Sequence, residues 1–142
     1  MTEIRNDAAS VKQHKCRFCW ACGRTPNSPP EGWFAPFGLE VAHIASGQGD
    51  ALRIDDRRAV TLLCSRCHKL HVNHAGGTMS INGVDYPTID ARHTLWFKYK
   101  MDRKYYDRKF LAEFWVATLP IPEKPPSFFL EELAKNQGLF LY

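Results

Sequence analysis

The sequence lacks any long hydrophobic run. None of its segments approaches the roughly 18 consecutive apolar residues that a membrane-spanning helix needs. Residues 1–15 are polar and contain no apolar segment of the kind found in a secretory signal peptide. Internal repeats are absent as well. We therefore expect a cytoplasmic protein with no membrane partner.

The chain also has little excess charge. A net charge of +4 permits a polyanionic partner but does not by itself predict one. Hydrophobic residues make up 44% of the chain and charged residues 24%, which excludes global disorder. With 142 residues, the chain has the size of one domain with appendages.

The cysteines are odd in number, with five in the chain. Disulfides are not expected in the reducing cytoplasm, where paired Cys-x-x-Cys spacings suggest zinc. We predict that Cys16 is left over as a small apolar side chain, because Gly23 supplies the glycine that commonly follows the second cysteine of a zinc knuckle. The predicted ligands of a structural zinc are Cys19, Cys22, Cys64 and Cys67. The alternative is a set of unpaired core cysteines.

The cysteine pairs enclose two strand-like segments. Apolar residues alternate in LEVAHIA, residues 39–45, and AVTLLC, residues 59–64, forms a second β-rich run. SRCHKLHVNH then has the spacing of a helix until two glycines stop it. On such a helix His68 and His71 share a face and can converge on one ion, although a solvated histidine-rich helix is the alternative.

The remainder of the chain predicts accessory elements. Asn82-Gly83 between short apolar runs predicts a type I′ hairpin. No proline or glycine interrupts residues 93–118, which predicts a long helix. A proline-rich linker follows, and Ser127 is expected to N-cap a last helix that Gly138 ends. This helix could pack on the domain or on another subunit. The predicted segments are a polar tail 1–15, a core 16–77, a hairpin and basic helix 78–119, and a linker and C-terminal helix 120–142.

The segment LEVAHI is followed by a glycine-containing loop and by AVTLLCSRCH, and a Cys-x-x-Cys pair lies upstream. This combination resembles the HNH, or ββα-metal, endonucleases, in the branch with a four-cysteine zinc. The resemblance covers residues 19–74. It implies an α+β fold, with a small ββα-metal core bracketed by zinc and extended by the hairpin and the C-terminal helices. It also implies that His43 is the general base for hydrolysis of a phosphodiester bond. His68 would be a catalytic ligand of a second divalent cation, usually Mg²⁺ or Mn²⁺ and in some members of the family a transition metal.

The chain departs from the family pattern at three positions. The residue before the base is commonly a metal ligand but is Ala42 here, and the orienting asparagine is replaced near Ala59. A further helix ligand is expected at Val72. Glu40 and Asp50 lie nearby, but the substitutes that we favour for the catalytic cation are His71, Asp55 and Asp56.

Basic residues are concentrated between residues 92 and 109, where aromatic residues alternate with them. Such a segment suits phosphate contacts and base stacking, although a solvated face of a core helix is the alternative. The predicted DNA contacts are Arg57, Arg58, Lys69, Lys98, Lys100, Arg103, Lys104 and Arg108. We expect a DNA endonuclease without a small-molecule cofactor, and a homodimer is plausible. The alternatives are a non-catalytic zinc-stabilised DNA-binding module and a protein-interaction subunit.

Overall fold

The computed structural model describes residues 7–14, 16–44, 55–72, 77–113 and 119–139. Within these ranges, helices combine with two separate two-stranded antiparallel sheets, which confirms the predicted mixture of α and β structure. No helix in the described ranges has the length and apolar character to cross a membrane.

The first sheet leads directly into a short helix. Strand β1 (Leu39–His43) pairs with strand β2 (Val60–Cys64), with Leu39 opposite Cys64 and His43 opposite Val60. Every residue of β2 is buried, as its continuous apolar sequence favours. Helix α1 (Ser65–Leu70) follows without a loop, and the Sγ atom of Cys64 accepts a hydrogen bond from the Cys67 N–H at its start.

Helix α1 is shorter than predicted. After Leu70 the backbone pairs with the segment before the next helix: Ile89 donates its N–H to Leu70 O, and Val72 donates to Ile89 O, both at 2.8 Å. His71 therefore lies beyond the helix with an extended backbone. The prediction that His68 and His71 share a helix face is wrong, and His74 lies outside the described residues.

The predicted hairpin is confirmed. Strand β3 (Thr78–Ile81) pairs with strand β4 (Val84–Pro87), and both turn residues have positive φ, 54° at Asn82 and 80° at Gly83. A type I′ turn requires this combination.

The predicted long helix is interrupted. Helix α2 (Ala91–Met101) ends at Asp102, a single turn of 3-10 helix spans Arg103–Tyr105, and helix α3 (Arg108–Ala112) begins after Asp107. The Asp107 carboxylate accepts a hydrogen bond from the Phe110 N–H and so starts a new helix. Residues 114–118 of the prediction lie outside the described part of the chain.

The two ends of the described chain both pack on the core. Residues Ala8–Gln13, expected within a polar tail, form a 3-10 helix in which Val11 is fully buried. Helix α4 (Ser127–Gln137) buries Phe129 and Leu133 and ends at Gly138 in the left-handed conformation, as predicted. Ser127 is the first helical residue rather than the cap.

A buried ion cluster joins α2 to the entrance of β2. The fully buried Lys98 places Nζ 2.9 Å from Asp102 Oδ2 and 2.6 Å from Arg57 O. Arg57 donates two hydrogen bonds to the same carboxylate, at 3.1 and 3.0 Å. Burial lowers the pKa of Lys98 to about 8 despite the attraction of Asp102. One carboxylate therefore compensates two cations inside the protein.

We expect Asp102→Asn to lower the free energy of unfolding by about 3 kcal/mol, because it leaves two cations without their counter-charge. Urea denaturation followed by circular dichroism measures the change. Asp85→Asn on the exposed hairpin is the matched control and should change stability little. Equal stability of the two variants would contradict the structural role of the cluster.

Candidate metal centre and neighbouring histidines

Four buried cysteines meet in one cluster, as the sequence predicted. The Sγ atoms of Cys19, Cys22, Cys64 and Cys67 all lie within 4.8 Å of one another. Those of Cys22 and Cys64 are 3.7 Å apart, far longer than the roughly 2.0 Å of a disulfide. A tetrahedron with Zn–S bonds of about 2.3 Å has an edge of about 3.8 Å. The donor set and its spacing therefore fit a metal such as zinc.

The loop that presents the first pair is a tight turn. Gly23 donates its N–H to Cys19 O at 2.8 Å, and Cys19 donates to Arg24 O at 2.9 Å. Gly23 has a φ of 78°, and a Cβ added there would lie only 3.1 Å from Gln137 Cγ. The positive φ therefore favours glycine at this turn, and the packing around it is tight, which supports the register chosen from the sequence. Cys16 stays outside the cluster, half-buried against the core.

Helix α4 closes over this turn. Asn136 Nδ2 donates to Cys22 O, and Gln137 Nε2 donates to Gly23 O, each at 2.8 Å. Two side-chain amides from the end of the chain thus satisfy the carbonyls of the loop. The sequence pattern did not reveal these contacts, because the spacing of α4 is equally compatible with packing on another subunit.

The Cys67 thiol is costly to ionise without a cation. Burial raises the pKa of the Cys67 thiol well above its ordinary value, and the neighbouring cysteines add to the effect. A metal ion would reverse this balance, because thiolate ligands bind metal only after they lose their protons. Metal binding at this cluster should therefore release protons and weaken in acid.

A carboxylate holds the histidine of α1. His68 Nδ1 lies 2.7 Å from Glu40 Oε1, and the other oxygen of Glu40 accepts a hydrogen bond from Ser65 Oγ at 2.9 Å. A carboxylate bound to one ring nitrogen fixes the ring and directs the other nitrogen away, as in many metal-binding histidines. His43 lies at the end of β1, half-buried, three residues after Glu40.

His71 is half-buried close to His68. Burial lowers the pKa of His71 to about 4, the charge of His68 lowers it further, and a hydrogen bond with the Ile44 backbone opposes the shift. His71 is therefore neutral at pH 7. Its Nε2 atom is buried and has no hydrogen-bond partner in the described ranges. An unsatisfied, neutral ring nitrogen is suited to binding a cation.

The two aspartates expected beside these histidines are held elsewhere. Asp55 accepts a hydrogen bond from the Ala8 N–H at 2.8 Å. Asp56 accepts hydrogen bonds from the backbone and the guanidinium of Arg58, which lower the pKa of its carboxyl. In the described part of the chain, only the four cysteines bring three or more such ligand atoms within 4.8 Å. The predicted set of His68, His71, Asp55 and Asp56 is therefore not assembled, and Glu40 is the carboxylate next to His68.

Half of the basic residues predicted to bind DNA have structural partners. Lys98 is fully buried and Arg57 nearly so, in the ion cluster with Asp102, so the prediction is wrong for Lys98. Arg58 pairs with Asp56 and with Asp107. Arg108 donates to the backbone carbonyls of residues 119 and 120.

The other four basic residues lie over aromatic rings. Arg103 covers Tyr99 at 4.0 Å, and Lys69 Nζ lies 5.3 Å from the centre of the Trp33 ring. Lys100 lies 5.3 Å from Trp96, and Lys104 lies 5.8 Å from Tyr105. We call Lys100, Arg103 and Lys104, with the rings of Trp96, Tyr99 and Tyr105, the basic aromatic face. Cations stacked on rings at a surface suit contacts with phosphates and bases.

Comparisons of the chain with protein-family models, with curated proteins and with solved structures find no match. Function must therefore be inferred from the chemistry of the chain's own residues.

We expect the protein as purified to contain about one tightly bound zinc ion, and the double variant Cys64→Ser, Cys67→Ser to lose it, because half of the ligands are removed. Elemental analysis after gel filtration measures the metal content. Cys16→Ser is the matched control and should keep the metal, because its sulfur lies outside the cluster. Zinc retained by the double variant would contradict this assignment.

Proposed function

We propose that this protein is a zinc-bracketed endonuclease of the HNH type that hydrolyses phosphodiester bonds of DNA. The observation that carries the proposal is the 2.7 Å contact between Glu40 and His68. Glu40 belongs to β1, the strand that ends in His43. Two antiparallel strands and the helix that follows them bring Glu40 and His68 into contact. His43 ends the same strand as Glu40 but lies on its opposite face. The order strand, strand, helix with a histidine on the first strand and another on the helix supports a ββα-metal core.

His43 acts in this proposal as the general base. A neutral imidazole can accept a proton from the attacking water. His68 and His71 offer Nε2 atoms that could hold a divalent cation, since Glu40 orients one ring and burial keeps the other neutral. Bound Mg²⁺ or Mn²⁺ would supply charge stabilisation for the leaving oxygen and the transition state.

Glu40 is the carboxylate on the face of β1 that carries Ala42. Side chains two residues apart on a strand share a face, so Glu40 lies on the same side of β1 as Ala42. Its two carboxylate oxygens contact His68 and Ser65, so Glu40 is not itself proposed as a metal ligand. The proposed role of Glu40 is to orient the His68 ring through its Nδ1 atom. Loss of such a partner typically costs about 10–100-fold in metal affinity or activity.

A second candidate is a non-catalytic, zinc-stabilised DNA-binding module. It is favoured by the absence, in the described ranges, of any group of three ligand atoms other than the cysteine cluster. This candidate also requires the basic aromatic face, but it predicts binding without cleavage.

We expect purified protein with Mg²⁺ or Mn²⁺ to convert supercoiled plasmid to nicked or linear DNA, and His43→Ala to lower the rate by at least about 100-fold, because the general base is lost. Gel electrophoresis over a time course measures both rates. Glu40→Gln should slow cleavage by about 10-fold or more and raise the metal concentration required.

Lys12→Ala is the control for these variants, because Lys12 is exposed on the 3-10 helix Ala8–Gln13 and lies outside the proposed site. It should cleave like the unmodified protein. Cleavage that survives His43→Ala would exclude the proposed mechanism. DNA binding without cleavage, with either metal and on plasmid or branched substrates, would favour the non-catalytic module.

We expect replacement of Lys100, Arg103 and Lys104 by glutamine to weaken DNA binding and to reduce its dependence on salt concentration, because fewer counterions are released. Fluorescence anisotropy at several salt concentrations measures the change. Lys12→Gln with Lys135→Gln removes two exposed lysines elsewhere and is the control. An equal loss of affinity in the control would indicate nonspecific attraction instead of a defined face.

A further inference from the structure

The side chain between the last two cysteines is a buried arginine. Arg66 is only 1% exposed, and its Nη2 atom lies 3.9 Å from Cys67 Sγ. Removing a guanidinium from water costs several kcal/mol unless charges or hydrogen bonds compensate it. The surroundings of Arg66 must therefore supply that compensation.

Part of the compensation comes from α4. Arg66 forms an ion pair with Glu132 through Nη2, and its Nη1 lies 3.4 Å from the other carboxylate oxygen. The same carboxylate also pairs with Arg24 at 3.2 Å. Two guanidinium groups thus share one carboxylate, which leaves one positive charge in excess beside the sulfur cluster.

Among the residues that the structure describes, no second anion pairs with Arg66. Its guanidinium lies 5.0 Å from the centre of the Tyr86 ring and 5.4 Å from that of Phe128. The Nε atom of Arg66 is buried and has no hydrogen-bond partner among the residues described. Cys67 Sγ, 3.9 Å from Nη2, is an atom of the cysteine cluster that could carry the missing negative charge.

A metal-loaded cluster would provide that charge. Four thiolates around one divalent cation carry a net charge of −2, whereas four protonated thiols carry none. In a medium of low dielectric constant, a cation about 4 Å away interacts far more strongly with the loaded cluster than with the empty one. The excess charge of Arg66 and Arg24 therefore favours the loaded state over the empty one.

We propose that Arg66 is a charge-compensating residue of the four-cysteine centre, paired with Glu132 of α4 and packed against Tyr86 and Phe128, and that its positive charge strengthens metal binding. Helix α4 then belongs to the metal centre, since it also contacts the cysteine loop through Asn136 and Gln137. This inference is independent of any nuclease activity.

The test compares Arg66→Met with Arg66→Lys in the full chain. The zinc dissociation constant is measured by competition with a chromogenic chelator, and Co²⁺ is used as a spectroscopic probe of the thiolates. Arg66→Met should weaken zinc binding by about 10-fold or more, the range typical of residues that support metal ligands. Arg66→Lys keeps the charge and should recover most of the affinity. Unchanged affinity in Arg66→Met would overturn the proposal.

Glu132→Gln separates this role from simple support of the fold. It removes the ion pair but leaves the positive charge beside the sulfurs, so it should lower thermal stability while zinc affinity is kept or increased. If the ion pair alone matters, Glu132→Gln will weaken zinc binding as much as Arg66→Met, and the proposal fails. Should Arg66→Met not fold, a 10-fold loss of affinity in Glu132→Gln would still overturn it.

Discussion

The convergence of four cysteines is the constraint on which the rest of the structure depends. It joins a tight turn near the start of the described chain to the beginning of α1, although Cys22 and Cys64 are 42 positions apart in the sequence. Two five-residue strands and a six-residue helix bury too little apolar surface to hold one another firmly. A metal ion bound at the junction would fix the turn, β2 and α1 together.

Polar contacts between distant segments complete the arrangement. The carboxylate of Asp102 joins α2 to the segment that enters β2, and the amides of α4 bind the carbonyls of the cysteine loop. The histidines depend on the same frame. Glu40 can reach His68 only because β1 is aligned with β2 and β2 continues into α1. The geometry of the proposed active site therefore follows from that of the metal centre.

Local patterns in the sequence predicted the features that local chemistry controls. Gly23 indicated which cysteines would pair, and Asn82-Gly83 indicated the hairpin, because each position requires a positive φ. The end of α2 before Asp102 and the end of α1 at Leu70 could not be predicted from the local sequence. One depends on Arg57, 45 positions away, and the other on pairing with Ile89. The local sequence also could not show that Asp55 binds the Ala8 N–H and that Asp56 pairs with Arg58, contacts that occupy both carboxylates.

The central claim is that a metal in the cysteine cluster organises the fold, and thermal unfolding with and without metal tests it most directly. Zinc-loaded and chelator-stripped protein would be compared by near-ultraviolet circular dichroism, in which the fully buried Trp20 next to Cys19 reports tertiary packing. The structure predicts that stripping abolishes the near-ultraviolet signal or lowers the melting temperature by more than about 10 °C, and that added zinc restores both. Identical spectra and melting curves for the two forms would contradict it.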